Sequence, residues 1–144
     1  MSRTICVVTG SRAEYGLLES PMRHIQSSRR LELSLVVTGM HLSARHGNTI
    51  SLIEDEFEID RTVEMLLDGD SGSSMAKSTG IGTMGLADAF EEIEPDIVLV
   101  LGDRDEPLAA AIAAAHMNIP IAHIHGGDVM AGATIDDSIR YALT

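Results

Sequence analysis

Residues 96–104, Asp-Ile-Val-Leu-Val-Leu-Gly-Asp-Arg, decide the fold. An unbroken apolar run from Ile97 to Leu101, with no polar alternation, is the pattern of a strand buried on both faces. Gly102 closes it, and the charged pair Asp103-Arg104 follows at once. Upstream, Pro95 ends the helix expected before it. Downstream, "PLAAAIAAAHM" (107–117) reads as an alanine-rich helix able to lie close against a sheet.

The same grammar recurs outward in both directions. "TICVVT" (4–9) is a short apolar run closed by Gly10, and a helical pattern from Ala13 to about Gln26 follows, carried by Leu17, Leu18, Met22 and Ile25. "LELSLVVT" (31–38) is a second strand, closed by Gly39. "PIAHIH" (120–125) is the last, with Gly126 after it, and "IDDSIRYALT" (135–144) opens a helix. Between these, "NTISLIEDEF" is expected to form a short helix and "RTVEMLL" (61–67) a third strand near the sheet edge. "DGDSGSSMAKSTGIGTMG" is read as a loop leading into a helix that runs to Glu94. Met75, Ile81, Met84, Leu86, Ala87 and Phe90 are its expected apolar face.

Strands alternating with helices predict a parallel sheet with right-handed crossovers, hence a Rossmann-like, doubly wound α/β domain over residues 1–144. No internal repeat or composition shift marks a second domain. In such a sheet all strands end on one edge, where ligands bind. That edge is expected to collect Arg12, Glu14, His41, Asp103, Arg104, His125 and Asp128.

Composition narrows the function classes. With 10 basic against 22 acidic residues the formal net charge is −12, which disfavours nucleic acid and anionic membrane as partners. Any phosphate must be held locally, by helix N-termini and a few arginines. The single Cys6 lies in an apolar run, which suits a reducing compartment. The apolar part of "MSRTICVVTGSR" is too short for a signal peptide, and no run is long enough to span a membrane, so a cytoplasmic location is expected.

Each candidate has a plain alternative. Gly10-Ser11-Arg12 resembles a phosphate-binding turn, yet it is not G-x-G-x-x-G and fits a tight strand-to-helix turn with a surface arginine equally well. Asp103 and Arg104 could be a helix-capping ion pair, although their place after the most buried strand points to a crevice. His123 and His125, two apart on a strand, could bind zinc with Asp128 or His41. Alternatively His123 is a hydrogen-bonded interior histidine and only His125 reaches the rim, and this is the reading adopted. His24, His46 and His116 are assigned to surface or packing, and "EDEFEID" to a solvated face.

Taken together, "TGSRAEYGLL", "TGMHLS" with "HGNT", "EPDIVLVLGDRDEPLAAAIAAAHMNIPIAHIHGGD" and "IDDSIRYALT" resemble the N-terminal half of the UDP-N-acetylglucosamine 2-epimerases. The resemblance is to the hydrolysing branch, which feeds sialic acid and related nonulosonate synthesis. It implies one half of a glycosyltransferase-B-like two-domain fold, with the active site in the cleft. The second, C-terminal domain would lie outside these 144 residues. The implied reaction turns a UDP-N-acetylhexosamine into the C2-inverted N-acetylhexosamine plus UDP, with no metal and no cofactor.

By the same resemblance, Arg12 would meet the diphosphate, Arg104 would support that corner, and His41 would be the substrate-binding histidine of the loop after strand two. Asp103 would be a catalytic carboxylate, joined by His125, where some members carry glutamate, and by Asp136 at the start of the last helix. Asp128 stands where the family pattern has glutamate, and the loop "VMAGAT" (129–134) looks longer than usual. A UDP-sugar, further copies of the chain and a complementary C-terminal half are the implied partners. Two rivals stay open: a truncated, non-catalytic half-protein that binds nucleotide sugars or serves assembly, and a small metal-dependent hydrolase using His123, His125 and Asp128.

Overall fold

In the computed structural model, which describes residues 1–129, 131–132 and 135–144, the strands are β1 (Arg3–Thr9), β2 (Leu31–Thr38), β3 (Arg61–Val63), β4 (Ile97–Leu101) and β5 (Ile121–Ile124). They form one parallel sheet in the order β3-β2-β1-β4-β5. The helices are α1 (Arg12–Ser27), α2 (Ile50–Glu54), α3 (Gly72–Ile93), α4 (Asp105–His116) and α5 (Ile135–Leu143).

Strand periodicity divides the core. Cys6, Val8, Val36, Val98 and Val100 face α3 and α4, meeting Leu86, Phe90, Ala109, Ala110 and Ala113. Their neighbours Ile5, Val7, Leu35, Val37, Leu99 and Leu101 face the opposite way, onto Tyr15, Leu18, Met22 and Ile25 of α1 and onto Ile53 and Phe57. Both faces are covered, which is why the strands carry apolar residues at successive positions. Cys6 is wholly buried, and burial pushes its thiol up to about 12, so it is an inert core residue. No described helix is long and apolar enough to cross a membrane.

The chain adds β2 and β3 on one side of β1 and then, after α3, β4 and β5 on the other. The reversal puts a switch point between the carboxyl ends of β1 and β4, the place where such sheets bind ligands. As expected, Gly10, Gly39, Gly102 and Gly126 all follow strands at this one edge, with Arg12 and Asp103 beside each other's strands.

Two strand boundaries and one helix face differ from expectation. The third strand stops at Val63, because β2 offers it only Val36–Thr38 as partners. Met65 then turns inward under α3, and Leu66 and Leu67 stay exposed. Helix α3 begins at Gly72, capped by the Ser71 hydroxyl, and its buried side is Ser78, Gly82, Leu86, Ala89 and Phe90. Met75 and Met84 are exposed and leave the expected apolar face. The reason is close packing, since a Cβ on Gly82 would lie 3.3 Å from the Ala109 Cβ of α4. The last strand ends at Ile124, so His125 belongs to the turn.

Candidate active site

At the end of β1, Ser11 caps α1 and its hydroxyl accepts from the Glu14 N–H at 3.4 Å. Ser11-Arg12-Ala13-Glu14 has capping-box spacing, but the Glu14 carboxylate reaches one residue further back and accepts the Gly10 N–H at 2.8 Å. Glu14 is therefore buried beneath the turn. Burial, then the charge of Glu106, raise its carboxyl to about 7. Arg12, the first residue of α1, is left exposed at the rim.

At the end of β4, Gly102 takes φ +88° and the chain turns into α4. Asp103 is half-buried and pairs with Arg140 of α5. Arg140, itself buried, also donates to Asp137 Oδ1 at 3.3 Å and to the Asp128 carbonyl at 3.2 Å. One guanidinium thus ties the β4 turn, the β5 turn and α5 together. Arg104 is exposed, with its Nη2 3.6 Å from the Met40 sulfur. Glu106, in the first turn of α4, is only 2 % exposed and faces Arg104 Nε at 3.4 Å. Desolvation raises its carboxyl as well.

At the end of β5, His123 is held from two sides. Its Nε2 donates to the Gly102 carbonyl at 2.7 Å, and Nδ1 lies 3.3 Å from the Thr144 hydroxyl. The interior, hydrogen-bonded reading of His123 matches this geometry. His125 sits at φ +65° and is exposed. It has left the strand, so the two histidines do not share a face as strand alternation predicted. Among the described residues no three His, Cys, Asp or Glu side chains gather as metal ligands.

His41 lies deeper than the rim. It is wholly buried, Nε2 lies 3.0 Å from the Thr9 hydroxyl and Nδ1 2.7 Å from that of Thr49. The Tyr15 ring meets it edge-on at 6.3 Å. Burial lowers its pKa to about 4, so the ring is neutral near pH 7. In this structure His41 braces the ends of β1 and β2 and does not line the open edge.

Of the residues singled out in the sequence, Arg12, Asp103, Arg104, His125 and Asp128 follow the adjoining strands β1, β4 and β5. Asp136 is exposed on the first turn of α5, whereas its neighbour Asp137 points inward to Arg140. The longer loop expected at 129–134 includes Met130, Ala133 and Thr134, which lie outside the described residues. Sequence reading missed Asp137, Arg140 and Glu106. The i, i+3 spacing of Asp137 and Arg140 was a visible signal. Glu106 gave none, since an acid in a first helical turn normally sits in water.

The chain matches the family model described as UDP-N-acetylglucosamine 2-epimerase over residues 23–144. It is 46 % identical over 145 residues to a Legionella pneumophila protein named UDP-N,N'-diacetylbacillosamine 2-epimerase (hydrolyzing), covering 100 % of this chain and 38 % of that protein. It is 42 % identical over 142 residues to the GDP/UDP-N,N'-diacetylbacillosamine 2-epimerase (hydrolyzing) of Campylobacter jejuni, covering 99 % and 37 % respectively. The chain therefore spans less than two-fifths of the length of these relatives. A crystal structure of UDP-GlcNAc 2-epimerase from Neisseria meningitidis, bound to UDP-GlcNAc, superposes with TM-score 0.79 at 22 % identity over 98 % of this chain and 38 % of that one. At that identity the likeness speaks for the shared fold.

Proposed function

This chain belongs to the UDP-N-acetylglucosamine 2-epimerase family, and from that premise we propose that its carboxyl edge is one wall of a hydrolysing 2-epimerase active site. The observation that carries the reading is the convergence at the β1–β4 switch point. Two exposed arginines, Arg12 and Arg104, follow the adjoining ends of β1 and β4, as does Asp103, whose carboxylate pairs with the buried Arg140.

The chemistry fits that inventory. Removal of the C2 proton lets the C2–H electrons form a C1=C2 double bond while the C1–O bond breaks and its electrons leave with UDP. Water then adds its oxygen to C1, and a proton returns to C2 from the opposite face. Net, the UDP-sugar and water become UDP and the C2-inverted sugar. Arg12 and Arg104 would bind the diphosphate and offset the charge it gains on leaving. Asp103 would exchange protons at the sugar, with His125, Asp128 and Asp136 as further proton-handling groups around it. The relatives' names favour a UDP-diacetamido sugar over UDP-N-acetylglucosamine as substrate.

The opposite wall is assigned to a complementary C-terminal half, because the relatives extend well beyond the matched share. A cytoplasmic enzyme of nonulosonate synthesis, acting as a homo-oligomer, is the setting this reading implies. The test is UDP release. The chain alone should show at most weak UDP-sugar binding and negligible turnover, since an open half-site neither orients substrate nor excludes water. Joined to its C-terminal half it should turn over, and Arg12→Ala should then mainly raise KM. Robust UDP release by the chain alone would contradict the two-wall reading and leave a self-sufficient domain in its place.

A further inference from the structure

We infer that Glu106 is a positioning residue for the diphosphate: seated in a slot left by Gly10 and Gly39, it sets the Arg104 guanidinium at the β1–β4 switch point. The inference rests on the 2-epimerase reading above and assigns a role to a residue outside its catalytic set.

The slot is built from three strand ends. A Cβ on Gly10 would fall 2.5 Å from Glu106 Cγ, and one on Gly39 would fall 2.5 Å from Glu106 Oε1. Gly39 is also at φ +60°, where a side chain is strained. The turns after β1 and β2 are thus both shaped around one side chain that arrives from the β4 turn. A glutamate in the first turn of a helix gains from the dipole while staying in water, so burying it here needs another reason.

Its two oxygens differ. Oε2 faces Arg104 Nε at 3.4 Å, longer than the 2.7–2.9 Å typical of a formed charge-assisted bond. Among the described residues Oε1 is buried with no hydrogen-bond partner, as is Oε1 of Glu14, whose other oxygen accepts the Gly10 N–H. Unpaired buried carboxylate oxygens are costly, and each one in a native fold calls for an explanation, a catalytic or binding role among them. A guanidinium has donors enough to serve both sides: Nε can turn inward to Glu106 while both Nη groups face a ligand. Among the described residues the partner of Nη2 is the Met40 thioether, a weak acceptor that phosphate oxygen would outcompete. Ligand binding is then expected to draw Arg104 into a two-sided grip, Glu106 behind and diphosphate in front.

The test uses the protein completed with its C-terminal half, UDP-N-acetylglucosamine or its diacetamido analogue as substrate, and steady-state UDP release. Glu106→Gln keeps the shape and removes the charge; Glu106→Asp keeps the charge and shortens the reach. Each should raise KM about tenfold with kcat within about threefold, as for loss of one charge-assisted contact. In an Arg104→Lys background, which removes the Nε–H, the Glu106→Gln effect should vanish. Independently of Glu106 variants folding, the Arg104 Nε–H of the wild-type protein should become protected from solvent exchange when UDP-sugar saturates it. Additive losses in the double variant, an unchanged KM, or a fast-exchanging Nε–H would each overturn the inference while the 2-epimerase reading stands. Wild-type protein that neither binds nor turns over UDP-sugar would overturn both.

Discussion

Buried ionisable groups concentrate at the carboxyl edge, and they make stability depend on pH in opposite senses. Glu14 has a folded pKa of about 7 against an ordinary value of 4.5. The folded state holds its proton more tightly, so this contribution is complete below about 4.5 and is lost as pH rises through about 7. His41, lowered to about 4 from 6.5, behaves the other way: its contribution is complete above 6.5 and is lost as pH falls through 4. Between roughly 4.5 and 6.5 the two partly cancel. Glu14→Gln separates them. Urea unfolding at pH 5 and pH 8 should show wild type losing about 2–3 kcal/mol more than the variant across that interval, at about 1.4 kcal/mol per pKa unit. Parallel pH dependence in the two proteins would mean that the Glu14 carboxyl is not held protonated beneath the turn.

At the scale of elements, α3 and α4 meet through small residues, and the glycines of α3 are not equivalent. Among the described residues a Cβ at Gly80 meets nothing within 4 Å, whereas one at Gly85 would fall 2.5 Å from Cγ1 of Val63, a β-branched neighbour in β3 with little freedom to yield. Gly80→Ala should stabilise by about 0.5–1 kcal/mol through helix propensity alone. Gly85→Ala should destabilise by about 1–3 kcal/mol through overpacking. Thermal melts of the two variants moving in the same direction would contradict the described α3–β3 contact. The contrast also marks where sequence reading stops. Apolar runs such as 97–101, closed by glycine, made the parallel sheet and its ligand edge legible, because a doubly covered strand leaves a continuous pattern. On α3, Leu86 and Phe90 lie on the expected face, but Met75 and Met84 were misassigned to it, because Ser78, Gly82 and Ala89 make up the rest of the buried side and carry little hydrophobic signal. Glu106 and Asp137 read as solvent-facing helix-start acids. Their burial depends on the neighbouring turns and on Arg140, which no local pattern reveals.

Across the whole molecule, strand order puts the chemistry in one place. Because β1 and β4 adjoin, Arg12 near the start and Asp103 far along the chain follow neighbouring strand ends on one edge. Arg140 adds α5 to that edge through Asp103. On the proposed function, this edge carries out proton exchange at C2 of a UDP-sugar, with Asp103 as the exchanging carboxylate. The most direct measurement is turnover in deuterium oxide by the protein completed with its C-terminal half, reading the sugar product by mass spectrometry and NMR. The expected product carries one deuterium at C2 of the inverted sugar for each UDP released. Asp103→Asn should lower turnover by at least about a hundredfold, the scale of a lost general acid or base. UDP release with C2 still carrying its original proton, or full turnover by Asp103→Asn, would contradict it.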